Sequence, residues 1–254
     1  MLCPDTEIGP VYRDYIASIE TPATLILAHG YAVYAHEIAP ARATHELSLL
    51  APKAIGPKIW SLFQEARKEV RPEVGKEARE AAPEPTHRLV AGFCVSDERA
   101  PGLRAIARAM GFAPGNLVPA SFEQEAIGDL LSEQGLLCGG VFTLLEWTLE
   151  AMSKAGVPVG LMREECITEL ELIAGLLRER GPATTYRTIS QAAQCGTVVM
   201  QEALNGSNAR EHFDAALAQV LDHRFAERFR SGEWIPKADA LADRLAKWQK
   251  EFSR

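Results

Sequence analysis

The stretch "GDLLSEQGLLCGG", Gly128 to Gly140, decides how this chain is read. Asp129 and Glu133 sit four apart, and an apolar run with paired glycines follows directly. On a helix, residues at that spacing share a face, and two carboxylates there repel by about 0.2–0.5 kcal/mol. Just upstream, Ser121-Phe122-Glu123-Gln124 fits a capping box, Ser at the N-cap and Gln three residues on. The spacing therefore predicts a helix that starts near Phe122 and runs to about Gly156. Gly135, Gly139 and Gly140 lie inside it, where each glycine costs about 1 kcal/mol relative to alanine. Close helix crossing is the structural reason expected for them.

Downstream the pattern stays helical. "PVGLMREECITELELIAGLLRER" reads as a second long helix, stopped by Gly181-Pro182. "TISQAAQCGTVVMQEAL", "REHFDAALAQVLDHRFAERFRSG" and "PKADALADRLAKWQKEFSR" continue the series. Upstream the pattern differs. "TLILAHGYAVY", "HELSLLAPK", "HRLVAGFCVS" and "GNLVPASF" are short β-prone runs. Between the last two, "ERAPGLRAIARAMGF" puts Leu103, Ile106, Ala107 and Met110 on one helical stripe. Alternating strands and helices predict a mainly parallel sheet. The fold expected is an α/β domain over residues 1–120 and an all-helical domain over 121–254. Gln64 to His87, rich in Glu, Lys, Arg and Ala, reads as a solvated, partly helical insertion ended by Pro83 and Pro85.

Composition narrows the function. The 254 residues are nearly half hydrophobic and about a quarter charged, as in ordinary globular chains. A net charge of -7 gives no broad attraction to nucleic acid or anionic membrane. No uncharged apolar stretch is long enough to span a bilayer. "MLCPDTEIGP" lacks the basic region and apolar core of a secretory signal. Cys3, Cys94, Cys138, Cys166 and Cys195 form no CxxC pair, so reduced thiols in a cytoplasmic protein are expected.

The acidic spacing recurs. Glu165 and Glu169 in "EECITELEL" again lie four apart. Such pairs are common on solvated helix faces, and Glu65/Glu69 and Glu73/Glu77 show the same spacing in the charged insertion. The pairs at Asp129/Glu133 and Glu165/Glu169 differ because their helices are otherwise largely apolar. Carboxylates that approach each other when buried need compensating positive charge. Hard oxygen ligands suit Mg²⁺ or Mn²⁺, and two pairs could hold two ions. No His lies three or four residues beyond either pair, unlike a di-iron bundle.

At these residues the sequence resembles class I ketol-acid reductoisomerase. "DLLSEQGLLCGG", "EECITELELI" and "TISQAAQCG" resemble three motifs of that family's helical domain, in the family's order. "LAHGYAVYAHEIAP", "LLAPKAIGP" and "PDTEIGPVYRDYI" resemble segments of its cofactor domain. The resemblance covers nearly the whole chain. It implies an incomplete Rossmann-like sheet domain followed by an all-helical domain of the interlocked reductoisomerase type.

The resemblance also implies roles. Asp129 would bridge two Mg²⁺ ions and Glu133 would bind one. Glu165 and Glu169 would bind the second ion or the substrate, contributed by the partner chain of a homodimer. Ser190 would hold the substrate carboxylate. His29 and Lys53 would line the site, and His29, Lys53, Glu133 and Glu169 would be catalytic. Asp5, Thr6, Glu7, Ile8 and Gly56 match positions that touch NADPH in the family. The implied reaction is alkyl migration in a 2-hydroxy-2-alkyl-3-oxo acid such as acetolactate, coupled to reduction. Glu164 and Thr168 stand where the family has an aromatic and a His, and "QAAQ" follows Ser190. A different substrate pocket is therefore expected. No GxGxxG occurs among the 254 residues, and the chain begins after the family's Gly-rich βαβ unit. NADPH is expected to bind weakly or not at all, unless a separate chain supplies that unit. The rival readings are a metal-dependent isomerase without redox chemistry and a non-catalytic dimeric binding protein.

Overall fold

The computed structural model describes residues 3–40, 45–69 and 89–252. The chain divides into two compact units, Met1–Asp129 and Leu130–Arg254. The division falls inside a helix, a little beyond the change of local pattern at Pro119–Ser121.

The first unit is built on a four-stranded sheet in the order β1 (Ala23–Leu27), β2 (His45–Pro52), β3 (Ala91–Cys94), β4 (Leu117–Pro119). β1 pairs with β2 in parallel, with Leu25 opposite Leu47 and Leu27 opposite Leu49. β3 and β4 are also parallel, joined by helix α4 (Ala100–Ala109). The central pair departs from expectation, because β2 and β3 run antiparallel. A short hairpin connection forces antiparallel pairing, whereas a long connection leaves either sense open. The connection here is long, and helix α3 (Gly56–Glu69) fills only its first part. The rest of the charged insertion expected at 64–87 lies outside the described residues.

Leu49, Leu50 and Ala51 are all buried, so β2 is covered on both faces. On one face Leu50, Phe93 and Leu117 pack with Leu103, Ala107 and Phe112. Of the stripe expected on α4, only Leu103 and Ala107 are buried, while Ile106 and Met110 stand exposed. The helix seats a narrow i, i+4 ridge on the sheet rather than a broad face. On the other face Leu25 and Leu27 pack with Ile8 and Tyr12 of the N-terminal segment. There helix α1 (Asp5–Val11) continues into a π turn, Tyr12–Ile16. β1 leads through His29 and Gly30 into the short helix α2 (Tyr31–Tyr34).

Helix α5 (Phe122–Ser132) starts on the expected capping box. The Ser121 N–H donates to Gln124 Oε1 at 3.0 Å, and the Gln124 N–H donates to Ser121 Oγ at 3.1 Å.

The second unit shows helices and no strand among its described residues. A π turn, Glu133–Leu137, precedes α6 (Gly139–Lys154). α7 (Val159–Arg163) and α8 (Glu169–Arg180) flank a second π turn, Glu164–Thr168. Then follow α9 (Pro182–Thr188), α10 (Gln191–Asn205), α11 (Ala209–Leu221), α12 (Arg224–Ser231) and α13 (Ile235–Phe252). The segment read as one helix over 210–232 breaks between α11 and α12, where His223 takes a left-handed φ of 62°. A small core joins Leu149, Met162 and Trp248. Above it, Arg244 of α13 grips Glu146 of α6, Nε donating to Oε1 at 2.6 Å and a terminal nitrogen to Oε2 at 3.3 Å. At Gly135 the expected crossing is found, since an added Cβ would stand 3.1 Å from Phe213 of α11.

Gly30 shows how tightly the first unit closes. A Cβ there would lie 2.3 Å from the Phe122 carbonyl oxygen and 2.7 Å from Glu125 Oε2. Backbone and a buried carboxylate cannot both retreat. Gly30→Ala is therefore expected to cost about 1–3 kcal/mol, the range for overpacking a filled site. Urea titration of the variant checks this, and an unchanged midpoint would disprove the close approach.

Candidate functional site

Parallel strands place their carboxyl ends at one edge of a sheet, and that edge is where open α/β sheets bind ligands. β1 and β2 do so here. His29 lies just past the end of β1, and Lys53 directly follows β2. The Lys53 N–H donates to the Val90 carbonyl at 2.7 Å, which fixes the residue's backbone beside the entry to β3. Helix α5 brings Glu125 and Asp129, one turn apart, to the same place.

The four side chains form one charged cluster. The Lys53 ammonium donates to Glu125 Oε1 and, at 2.9 Å, to Asp129 Oδ1. His29 Nε2 lies 2.7 Å from Asp129 Oδ2. The Tyr31 N–H donates to His29 Nδ1 at 2.8 Å, so Nε2 carries the ring proton and points it at Asp129. The Gly30 N–H donates to Glu125 Oε2 at 2.5 Å. Glu125 is 1 % exposed at its side chain, yet each oxygen has a charged or backbone donor. The Lys53 ammonium thus offsets the repulsion of two carboxylates four apart.

Electrostatics follow from these contacts. The His29 hydrogen bond, with the Lys53 bond and charge added, holds Asp129 at about 2 against its usual 3.8, although burial works the other way. Burial opposes a charge on His29. The Asp129 hydrogen bond and the charges of Glu125, Asp129 and Asp5 together outweigh it, and the imidazole pKa is raised. Burial opposes the Lys53 charge too, but its bonds to Glu125 and Asp129 together with their charges outweigh it, and the ammonium pKa is raised.

His29, Glu125 and Asp129 offer ligand atoms within 4.8 Å of one another. The chemistry of this set fits a hard divalent cation at Asp129. That carboxylate is held ionised, and carboxylate oxygens are the hard ligands such a cation prefers. Glu125 fits less well, because it is buried and engaged on both oxygens. Its place is to hold Lys53 and the Gly30 turn.

The structure therefore brings together His29, Lys53 and Asp129, and adds Glu125, which sequence reasoning passed over. The signal was present: Glu125, Asp129 and Glu133 follow one another in steps of four. The other acids behave differently. Glu133 opens the first π turn of the second unit and is exposed. Glu165 lies in the second π turn and Glu169 begins α8, both exposed. The burial expected for these faces is not found within one chain. Ser190 caps α10, its Oγ accepting from the Ala193 N–H at 3.2 Å. Asp5, Thr6 and Glu7 lie exposed on α1, whereas Ile8 is buried in the core. Gly56 opens α3 with nothing within 4 Å of where a side chain would begin.

The depressed Asp129 pKa has a sign that can be worked out. A carboxylate that loses its proton more readily when folded adds stability above its ordinary 3.8. That stability disappears as the pH falls from 3.8 through about 2. The shift corresponds to roughly 2 kcal/mol. Between about pH 5 and about pH 2.5, wild type is expected to lose roughly that much more stability than Asp129→Asn. Parallel pH–stability curves in urea titrations would refute the pairing.

Comparison with known proteins places the chain in a family. A family model described as "Ketol-acid reductoisomerase, C-terminal domain" matches residues 122–253. Another, "Acetohydroxy acid isomeroreductase, NADPH-binding domain", matches residues 1–73. The solved structure of an NADH-preferring ketol-acid reductoisomerase from an uncultured archean is similar in fold, with a TM-score of 0.74. That likeness covers 100% of this chain and 75% of the other, at 23% sequence identity. The chain belongs to the ketol-acid reductoisomerase family, enzymes of branched-chain amino-acid biosynthesis that are at once isomerase and oxidoreductase and work with magnesium and a nicotinamide nucleotide.

Proposed function

We propose that the His29–Lys53–Glu125–Asp129 cluster serves the isomerase step of a ketol-acid reductoisomerase reaction on a 2-hydroxy-2-alkyl-3-oxo acid such as acetolactate. The observation that carries this is the double grip of Lys53 on Glu125 and Asp129 at the carboxyl ends of two parallel strands. Asp129 and Glu133, four apart, would hold Mg²⁺, with Asp129 shared between two ions. Glu165 and Glu169 of a second copy would complete the ligand set. Bound there, the two ions would polarise the substrate's carbonyl and hydroxyl oxygens. Lys53 keeps a positive charge beside that position, and Asp129 orients the His29 Nε2 proton. Ser190, a helix cap with an exposed hydroxyl, would take the substrate carboxylate.

The 254 residues contain no Gly-rich phosphate turn. We infer that they touch the nucleotide only on its nicotinamide side, through Asp5, Thr6, Glu7, Ile8 and Gly56. The pyrophosphate cradle would come from outside them, a separate chain included.

Divalent ions should stabilise the protein, since a ligand that binds only the native state adds RT ln(1 + [L]/Kd). Millimolar Mg²⁺ or Mn²⁺ is expected to raise Tm in wild type and to have little effect on Asp129→Asn, a neutral amide being a poor bridge for hard cations. Wild-type melts indifferent to both ions would overturn the metal reading.

The homodimer rests on exposed apolar surface. Leu137, Phe142, Trp147, Leu172, Val199 and Met200 of the helical unit are each more than two-fifths exposed. The helical run Phe122–Lys154 is long and apolar enough to cross a membrane by length and composition. Asp129, Glu133, Glu146 and Glu150 lie along it, and a protein surface suits such a run better than lipid. A second copy should bury more than roughly 2,000 Å², as obligate dimers do. Sedimentation at micromolar concentration is expected to show a dimer, and a stable monomer would contradict the interlocked arrangement.

A further inference from the structure

The paired glycines after Glu133 have a cause other than helix crossing. Glu133–Leu137 is a π turn, and the Cys138 N–H donates at 2.9 Å to the Glu133 carbonyl, five residues back. A Cβ on Gly139 would lie 2.0 Å from the Gln134 carbonyl oxygen, and one on Gly140 would lie 2.5 Å from that of Gly135. Both carbonyls are again five residues back. At neither glycine is the nearest obstacle another helix. By contrast Gly160, Gly175 and Gly196, also helical, have nothing within 4 Å. Glycine weakens a helix relative to alanine, so a pair of them needs a local reason. Here the reason is that the π turn draws its own carbonyls into the space a side chain would need.

We propose that Gly139 and Gly140 are positioning residues for the Glu133 carboxylate. They let the helix take one extra residue at the acid. In a helix of 3.6 residues per turn, one extra residue rotates everything beyond it by about 100°. The direction of Glu133 relative to α6 is therefore set by the turn, and the turn by the glycines. The second acidic segment shows the same association. Glu165 lies inside the Glu164–Thr168 π turn, and Glu169 is the next residue. Single π turns within α-helices occur often at functional sites. The proposal rests on the reading of Glu133 as a cation ligand.

The test uses the full chain and Mn²⁺ as the probe. Free Mn²⁺ is counted by electron paramagnetic resonance, and metal-free melts are followed by circular dichroism. Gly139→Ala is expected to keep its helix content, to melt lower than wild type, and to weaken Mn²⁺ binding by at least about tenfold, as Glu133→Gln does, since a hard cation needs the charged oxygen. Gly175→Ala, in open space, should leave binding within about twofold and melt no lower than wild type. Deleting Leu136, an exposed residue of the turn, should restore regular α spacing. In that background Gly139→Ala should no longer lower Tm. If Gly139→Ala fails to fold alone, tolerance in the deletion background supports the proposal and intolerance overturns it. Wild-type Mn²⁺ affinity and Tm in Gly139→Ala would also overturn it. If Glu133→Gln binds Mn²⁺ like wild type, the ligand reading fails, while the paired melts still judge the glycines.

Discussion

The position of one ammonium group organises the first unit. Lys53 leaves the end of β2 and is held by two carboxylates of α5. A buried carboxylate without a partner costs several kcal/mol, about 3–5 when one member of a buried pair is removed. Glu125 is buried but partnered: Lys53 meets one oxygen and the Gly30 N–H meets the other. One acid therefore ties the turn after β1 to the end of β2. Once those are tied, His29 and Asp129 have little freedom, since the Tyr31 N–H orients the imidazole and the imidazole orients the carboxylate. Gly30 has no side chain because the first turn of α5 fills the space.

This arrangement accounts for the acidic spacing that opens the helical run. Asp129 and Glu125 are neighbours on α5, and their repulsion is offset by Lys53 and by the His29 proton. Asp129 stays ionised well below neutrality for the same reason. An ionised carboxylate that already accepts from two donors is a firm anchor, because a further cation meets it preorganised. The polarity of the cluster is thus a property of the folded unit before any ligand arrives.

Much of the fold was legible in the residues because local signals agreed. The Ser121/Gln124 box, the left-handed Gly181 before Pro182, and the alternation of β-prone runs with Leu103 and Ala107 each had one local meaning. What failed depended on distant partners. The antiparallel entry of β3 depends on a long connection that periodicity does not describe. Ile106 and Met110 lie on a stripe whose breadth only the sheet can set. The candidate site shows the same division. His29, Lys53 and Asp129 were found through the order of linked motifs. Glu125 was missed although it stands one turn before Asp129, because its burial and its bond to Gly30 arise across 95 residues of chain. The glycine pair was assigned to helix crossing because nothing in composition distinguishes a crossing from a π turn.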